Sequence, residues 1–188
     1  VEAIVKETLS KNPEIVVDAF KKFPEQKAAE AAEKSKKALT DKGKDLKDSK
    51  TSPVAGNPKG DVAIVEFFDY HCGYCKKVVP AVSAIIKADP KVKVVFKEFP
   101  ILSEDSETAA KAALAVYQIK PDKYFDFHTA LMAAKGKFDL PFLVEEAKKL
   151  GIDEAKLKAE MDGAAVKEEL KKNRELAEAI GIRGTPAF

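Results

Sequence analysis

Residues 62–76 read VAIVEFFDYHCGYCK and carry the strongest structural signal in the chain. The first seven residues are apolar except for Glu66, and three of them are β-branched, which is typical of a buried strand. A short loop follows, and then two cysteines separated by two residues, with Cys72 expected at the first position of a helix. A helix N-terminus carries unsatisfied backbone N–H groups and the positive end of the helix dipole, both of which stabilise a thiolate. The stretch therefore predicts a redox-active thiol pair where a strand leads into a helix.

The two cysteines are expected to have different roles. Cys72 should be the exposed attacking thiol, and Cys75, one turn further into the helix, should be the buried resolving thiol. A helix N-terminus can lower a cysteine pKa from ~8.5 into the range ~3.5–7.5. Thiol-disulfide exchange would then pass through a mixed disulfide at Cys72. Because the chain has only these two cysteines, they can pair only with each other or with the sulfur of a partner.

Further residues extend this pattern. Glu66 interrupts the apolar strand, Pro80 falls inside the helix that the cysteines open, and Gly184-Thr185-Pro186 stand near the end of the chain. Together with the cysteine pair, these features resemble the thioredoxin superfamily, and more narrowly the DsbA-like thiol-disulfide oxidoreductases of the ScsC type. The resemblance covers nearly the whole chain. It implies an α/β protein with a thioredoxin-like fold and an inserted helical domain, preceded by an N-terminal helical oligomerisation segment and stalk.

The resemblance also implies roles for residues outside the cysteine pair. Glu66 is the candidate proton acceptor for Cys75, because a desolvated carboxylate has a raised pKa suited to that exchange; the alternative is a strand-end glutamate that reaches solvent. Thr185-Pro186 resembles the cis-proline loop that lies against the active-site disulfide and offers backbone hydrogen bonds to an extended substrate.

Three residues beside the sulfurs are expected to tune the site. Gly73 leaves the Cys72 sulfur open, and Tyr74 offers a hydroxyl and an apolar face but no positive charge. In this superfamily the dipeptide sets the redox potential, and Gly-Tyr indicates a milder oxidant than a DsbA with histidine there. His71 could supply positive charge when protonated, or it could be an exposed loop histidine with a modest effect.

Composition narrows the function class. The chain has 188 residues with 33 Lys+Arg and 31 Asp+Glu, for a net charge of +2, so no nucleic-acid footprint is indicated. No apolar run approaches the ~18 residues of a membrane span. The pattern indicates no cofactor. Zinc is disfavoured because only His71 and His128 could join the cysteines, at spacings of no common zinc module, although Cu(I) capture by the dithiol stays open as a side activity.

The N-terminal quarter is expected to be an association element with a spacer. Residues 1–23 predict two short amphipathic helices, the second with Asn12 as N-cap and Pro13 at its first position. Residues 25–47 predict a solvated helix that acts as a stalk; alternatively, this helix has no mechanical role. Residues 48–60 predict a linker with an edge strand near Val54. The apolar stripe must dock on the chain's own catalytic domain or on another copy. We favour self-association, which the resemblance also implies, as a trimer or alternatively a dimer.

The catalytic domain is predicted at residues 61–188. Strands at 62–68 and 92–99 flank a helix at 72–87, with Val78, Val79, Val82, Ile85 and Ile86 buried, and the strands should be parallel. Residues 104–180 predict a helical insert with Asp139 and Asp153 as N-caps, and His128 on a helix face without a catalytic role. In the superfamily that the chain resembles, a β-hairpin and a final helix follow the proline, so we expect the native chain to be longer than these residues.

These inferences favour one activity over two others. An oligomer holds several thiolates near one substrate, which suits a protein disulfide isomerase acting on misfolded or cysteine-containing secreted proteins. The alternatives are a monomeric dithiol oxidase, and a non-enzymatic chaperone or copper-binding scaffold. The resemblance implies a membrane redox partner and the bacterial periplasm. The absence of an initial methionine indicates a processed form, with a signal peptide removed.

Overall fold

A computed structural model describes residues 1–47 and 51–188. Part of the predicted linker, residues 48–50, lies outside the described residues. The chain forms two compact units, Val1–Asp41 and Lys42–Phe188. Among the described residues, no helix is long and apolar enough to cross a membrane.

The first unit is a pair of helices, α1 (Glu2–Lys11) and α2 (Glu14–Asp41), and neither contains a buried residue. The sequence predicted a short second helix followed by a separate stalk, and this is wrong, because α2 continues through Pro24 as one helix of 28 residues. A proline removes one helical hydrogen bond, but its fixed φ is helical. Since α2 is exposed around Pro24, water can satisfy the carbonyl that loses its partner.

The second unit begins with helix α3 (Gly43–Lys47) and is built on a sheet of three strands, β1 (Val54–Gly56), β2 (Val62–Phe68) and β3 (Val92–Glu98), in the order β1-β3-β2. Strand β3 lies in the centre, antiparallel to β1 and parallel to β2, with Glu66 paired to Phe96. The predicted parallel β-α-β unit and the edge strand near Val54 are therefore confirmed, and both β1 and α3 precede the expected domain start at residue 61. Helix α4 (Gly73–Ala88) joins β2 to β3.

A block of helices follows the sheet, as predicted. Asp139 accepts a hydrogen bond from the Phe142 amide at 3.0 Å, and Asp153 accepts one from the Lys156 amide at 3.0 Å. Both predicted N-caps are thus confirmed. The helices are α5 (Glu104–Ile119), a 3₁₀ turn (Pro121–Lys123), α6 (Tyr124–Ala133), α7 (Leu140–Lys149), α8 (Glu154–Met161) and α9 (Ala164–Ile180).

The core lies between the sheet and the helical block. The alanines of α5 at 109, 110, 112, 113 and 115 are at most 1% exposed, and their small side chains let other elements approach closely. Of the five α4 residues predicted to be buried, the prediction is confirmed for Val82 alone, at 6% exposed. Ile85 is wrong, at 40% exposed, and the other three are half-buried: Val78, Val79 and Ile86. The arrangement is the thioredoxin-like one that the resemblance implied, with the helical block inserted after β3.

Candidate redox site

The loop between β2 and α4 is shaped by Asp69. Its buried carboxylate accepts hydrogen bonds from the backbone amides of His71 at 2.7 Å, Ile101 at 2.9 Å and Leu102 at 3.0 Å. It also accepts one from the Ser106 hydroxyl at 2.7 Å. Asp69 therefore ties the loop that leads to the cysteines to the loop that follows β3.

Cys72 is the N-cap of α4 and not its first helical residue. Its backbone is extended, with φ −70° and ψ 112°, and its sulfur accepts a hydrogen bond from the Cys75 amide at 3.4 Å. Both cysteines are free thiols. The expectation of an exposed Cys72 is wrong in this structure: Cys72 is 7% exposed and Cys75 is fully buried, so Cys72 is the more accessible of two buried sulfurs.

The Thr185-Pro186 segment covers Cys72 from the other end of the chain. Ala187 exchanges two backbone hydrogen bonds with Phe67 of β2, at 2.8 and 3.0 Å. This pairing brings the Thr185 carbonyl to 3.3 Å from the Cys72 sulfur. The Thr185-Pro186 peptide bond is cis, in agreement with the sequence-based expectation. The structure thus brings together residues that are 113 positions apart in the chain.

The two thiols have pKa values displaced in opposite directions. Burial by itself raises the pKa of Cys72, but hydrogen bonding by the Thr185 side chain, by Cys75 and by the backbone of Tyr74 outweighs it, so the pKa lies below the ordinary 9.0. The Thr185 carbonyl favours the neutral thiol, yet the net direction remains downward. Burial raises the pKa of Cys75 to about 12. As the pH rises, Cys72 is consequently the first of the two thiols to ionise.

Glu66 lies in β2, the strand that leads into the cysteine loop. Its side chain is buried, at 2% exposed, and burial raises its pKa from 4.5 to about 7. The alternative of a strand-end glutamate reaching solvent is therefore wrong. A carboxyl group with such a pKa populates both protonation states near neutral pH.

The residues beside the sulfurs differ in their surroundings. Tyr74 is 72% exposed, and the Lys77 ammonium lies 5.1 Å from the centre of its ring. A Cβ on Gly73 would meet no atom within 4 Å, so the position is open. His71 is half-buried: its Nε2 is 3.9 Å from Asp105 Oδ2, and its ring lies 4.7 Å from that of Phe138. His71 is thus a packed residue.

A buried polar network that the sequence did not predict lies beneath the loop. Glu98 Oε1 accepts hydrogen bonds from the hydroxyls of Tyr70 at 3.0 Å and Tyr124 at 2.9 Å. The Tyr70 hydroxyl oxygen also lies 3.2 Å from His128 Nδ1. Because the single hydroxyl proton of Tyr70 is donated to Glu98, His128 Nδ1–H must be the donor to the tyrosine oxygen. Burial raises the pKa of Glu98 well above its ordinary value and lowers that of His128 to about 3. The network is therefore neutral.

Local sequence gave only partial signals for these residues. Asp69 and Tyr70 stand inside the cysteine motif, and an aspartate whose side chain accepts the amide two residues later is a common turn pattern. Glu98 could have been noticed as a carboxylate in an apolar strand, like Glu66. Within residues 1–47 and 51–188, no group of three or more His, Cys, Asp or Glu side chains is placed to hold a metal ion.

Comparison with known proteins assigns the catalytic part of the chain. The DSBA-like thioredoxin domain family matches residues 63–188. A thiol:disulfide interchange protein DsbA of Bordetella parapertussis is 30% identical over 139 residues, which cover 72% of this chain and 66% of that protein. The match thus spans slightly less than two thirds of that relative.

Solved structures agree with this assignment. A thioredoxin-like oxidoreductase from Silicibacter pomeroyi is 40% identical, with a TM-score of 0.71 over 76% of this chain and 82% of that one. ScsC of Proteus mirabilis in a compact conformation is 31% identical, with a TM-score of 0.74 over 100% of this chain and 92% of that one. The chain therefore belongs to the DsbA-like family of thioredoxin-fold oxidoreductases.

Proposed function

We propose that this protein catalyses thiol-disulfide exchange on cysteine-containing proteins through Cys72 and Cys75. The observation that carries the proposal is the placement of the two thiols at the start of α4: Cys72 caps the helix, its sulfur accepts the Cys75 amide at 3.4 Å, and Cys75 is fully buried. This placement lowers the pKa of Cys72 and raises that of Cys75 to about 12. One sulfur is then available as an attacking thiolate, while the other stays protonated until a mixed disulfide forms beside it. The DsbA-like thiol:disulfide interchange proteins of the family are oxidoreductases.

The exchange needs no external redox cofactor. The Cys72 thiolate attacks one sulfur of a substrate disulfide, forming a Cys72–substrate disulfide and releasing a substrate thiolate. If that or another substrate thiolate attacks the mixed disulfide, Cys72 leaves as a thiolate and the substrate is rearranged without net oxidation. If Cys75 attacks instead, the substrate leaves reduced and the Cys72–Cys75 disulfide forms.

Glu66 is proposed as the proton acceptor for the second route. Cys75 must lose a proton before it attacks, and a thiol with a pKa of about 12 ionises poorly without a base. A buried carboxylate with a pKa of about 7 can take that proton at neutral pH and later return it. Gly73, Tyr74 and His71 are proposed to tune the potential of the pair.

Thr185 and Pro186 are proposed to bind the substrate backbone. The Thr185 carbonyl lies 3.3 Å from the Cys72 sulfur, so an extended peptide crossing Cys72 would meet main-chain groups of this segment. Such contacts recognise backbone rather than side chains. This suits an enzyme that accepts many cysteine-containing clients.

Among exchange activities, we favour isomerisation by an oligomer. The helices α1 and α2 bury no residue within the chain, and their apolar side chains include Phe20 at 75% and Phe23 at 60% exposed. A second copy of the same helices offers a matching apolar face, and association of copies would gather several Cys72 thiolates around one substrate. We further propose a periplasmic location, in keeping with the similar periplasmic thioredoxin-like protein of Salmonella enterica.

The second candidate is a monomeric dithiol oxidase. Its support is the lowered Cys72 pKa, because stabilising the reduced form makes the disulfide form a stronger oxidant. An oxidase would need a membrane redox partner to restore its disulfide, whereas an isomerase must be kept reduced.

Light scattering on the full chain tests the choice. The variant Phe20→Glu/Phe23→Glu places two carboxylates on the exposed apolar face, and the control Gln26→Glu/Ala29→Glu places two at exposed positions of α2 without removing a large apolar side chain. We expect a trimeric or dimeric mass for wild type and control, and a monomer that loses the ability to reactivate scrambled ribonuclease for the phenylalanine variant. A wild-type monomer would remove the isomerase proposal in favour of the oxidase. An oligomer in which Cys72→Ser leaves exchange unchanged would remove both.

A further inference from the structure

The loop of residues 134–139, between α6 and α7, packs against the cysteine motif through Phe138. Phe138 is 1% exposed although its neighbours in the loop are largely exposed. The loop reverses at Gly136, where φ is +117°, a backbone conformation that favours glycine. This turn allows one side chain of the loop to point inward.

Two side chains that flank the cysteine pair contact this single ring. The His71 ring lies 4.7 Å from the Phe138 ring, on the residue just before Cys72. The Lys76 ammonium lies 5.5 Å from the ring centre, on the residue just after Cys75. The same ammonium donates a hydrogen bond of 2.7 Å to the carbonyl of Ala134 in the loop.

Fixing Lys76 in this way has an electrostatic consequence. A free lysine side chain samples many rotamers and extends into water, where its charge is screened. Here the ammonium is held by a carbonyl and an aromatic face, each of which favours a cation, on the first turn of the helix that Cys72 caps. Partial burial lowers the pKa of Lys76, which is the desolvation cost of holding it there.

We propose that Phe138 is a positioning residue of the redox site: packed against the His71 ring and together with the Ala134 carbonyl, it holds Lys76 so that the ammonium charge acts on the Cys72 thiolate. Through the loop of residues 134–139, the helical insert thereby influences the ionisation of Cys72, although both cysteines lie outside the insert. The other charged groups around this assembly are Asp105, 3.9 Å from His71 Nε2, and the exposed Lys135 and Lys137 of the loop. This inference rests on the proposed role of Cys72.

The test is the titration of the Cys72 thiolate by its ultraviolet absorbance in the reduced full chain, with the Cys72→Ser chain as blank. The Cys75 thiol, with a pKa of about 12, stays outside the range below pH 9. Loss of one nearby cation is worth a fraction of a pKa unit at a partly solvated site. We therefore expect Phe138→Leu and Lys76→Met each to raise the Cys72 pKa by about 0.5, whereas Phe138→Tyr, which keeps the ring, restores most of the wild-type value.

A double-mutant cycle separates positioning from a general structural effect. Lys77→Met is the matched control, because it removes one positive charge from the neighbouring residue, whose ammonium lies over Tyr74 and not over Phe138. We expect the effects of Phe138→Leu and Lys76→Met to be non-additive, and those of Phe138→Leu and Lys77→Met to be additive. An unchanged Cys72 pKa in Phe138→Leu, or additivity in both cycles, would overturn the inference.

Two further outcomes are distinguishable. If Phe138→Leu fails to fold, the two lysine variants test the inference instead. It requires a larger rise in the Cys72 pKa for Lys76→Met than for Lys77→Met, and equal shifts contradict it. If the wild-type titration below pH 9 survives in Cys72→Ser, then Cys72 is not the ionising thiol, and the proposed function itself fails.

Discussion

Replacing Glu66 by glutamine should stabilise the folded protein above neutral pH and leave its stability nearly unchanged in acid. Glu66 is 2% exposed, and burial raises its pKa from 4.5 to about 7. The folded state therefore binds the proton more tightly than the unfolded state. The stability associated with the neutral carboxyl is fully present below pH 4.5, and it is lost as the pH rises through about 7.

The size of the effect follows from the two pKa values. Each unit of difference is worth about 1.36 kcal/mol, so the rise from 4.5 to about 7 corresponds to about 3 kcal/mol of folding free energy at alkaline pH. Glutamine has nearly the same shape and never ionises, so it avoids this cost. For a protein of this size, 3 kcal/mol corresponds to an increase of roughly 6–12 °C in Tm.

The assay is urea unfolding at intervals from pH 4.5 to 8.5, in a Cys72→Ser/Cys75→Ser background that removes thiol titration. The difference between Glu66→Gln and its parent should be near zero at pH 4.5, grow through pH 7 and level off at about 3 kcal/mol. The control is Glu104→Gln, which removes an exposed glutamate in the first turn of α5 and so measures the effect of losing a surface carboxylate. A pH-independent difference for Glu66→Gln, or a parent more stable than the variant at pH 8.5, would refute the reasoning.

Iodoacetamide should modify Cys72 before Cys75 in the reduced protein, because the Cys72 pKa is the lower of the two; mass spectrometry that shows modification at Cys75 first would contradict the assignment. Cys75→Ser should accumulate a mixed disulfide with a client. Asp69→Ala removes the acceptor of four hydrogen bonds and should lower the unfolding free energy, measured in urea, by about 3 kcal/mol or more. Asp69→Asn should lower it less, and a loss under 1 kcal/mol for Asp69→Ala would contradict the role given to the carboxylate. Tyr70→Phe and Tyr124→Phe should each lower the unfolding free energy by about 1 kcal/mol. The double variant should lower it by more than the sum, because Glu98 Oε1 then loses both donors. Simple additivity in the same urea measurement would argue against a shared network.

The parts of this structure that could be predicted from sequence are those set by neighbouring residues. The strand, the loop and the cysteine helix follow one another within residues 62–88, and Asp139 and Asp153 cap helices through amides three residues away. These signals are local, so a single sequence contains them. Thr185-Pro186 was placed beside Cys72 only through the family resemblance, because no local rule joins segments 113 residues apart.

The features that sequence reasoning missed depend on contacts between distant segments. Asp69 reaches the amides of Ile101 and Leu102, and Tyr70 reaches Glu98, 28 residues away. Ile85 fits a helical apolar stripe, yet the stripe is wider than the face of α4 that the sheet covers. A proline usually ends or kinks a helix, but α2 continues through Pro24 because its exposed surroundings let water replace the lost hydrogen bond. In each case the outcome was decided by what packs, or does not pack, against the residue.

The same packing raises the pKa values of two buried carboxyl groups of the sheet. Strands β2 and β3 place the carboxyl groups of Glu66 and Glu98 in the buried part of the domain that also holds the cysteines, and two fixed negative charges there would oppose ionisation of Cys72. Burial instead raises the pKa values of both, and Glu98 stays neutral between two tyrosine hydroxyls. Glu66, with a pKa of about 7, is the member of this pair that titrates near neutrality. The ionised form is the one proposed above to accept the proton of Cys75, so deprotonation of Glu66 should promote resolution of the mixed disulfide by Cys75.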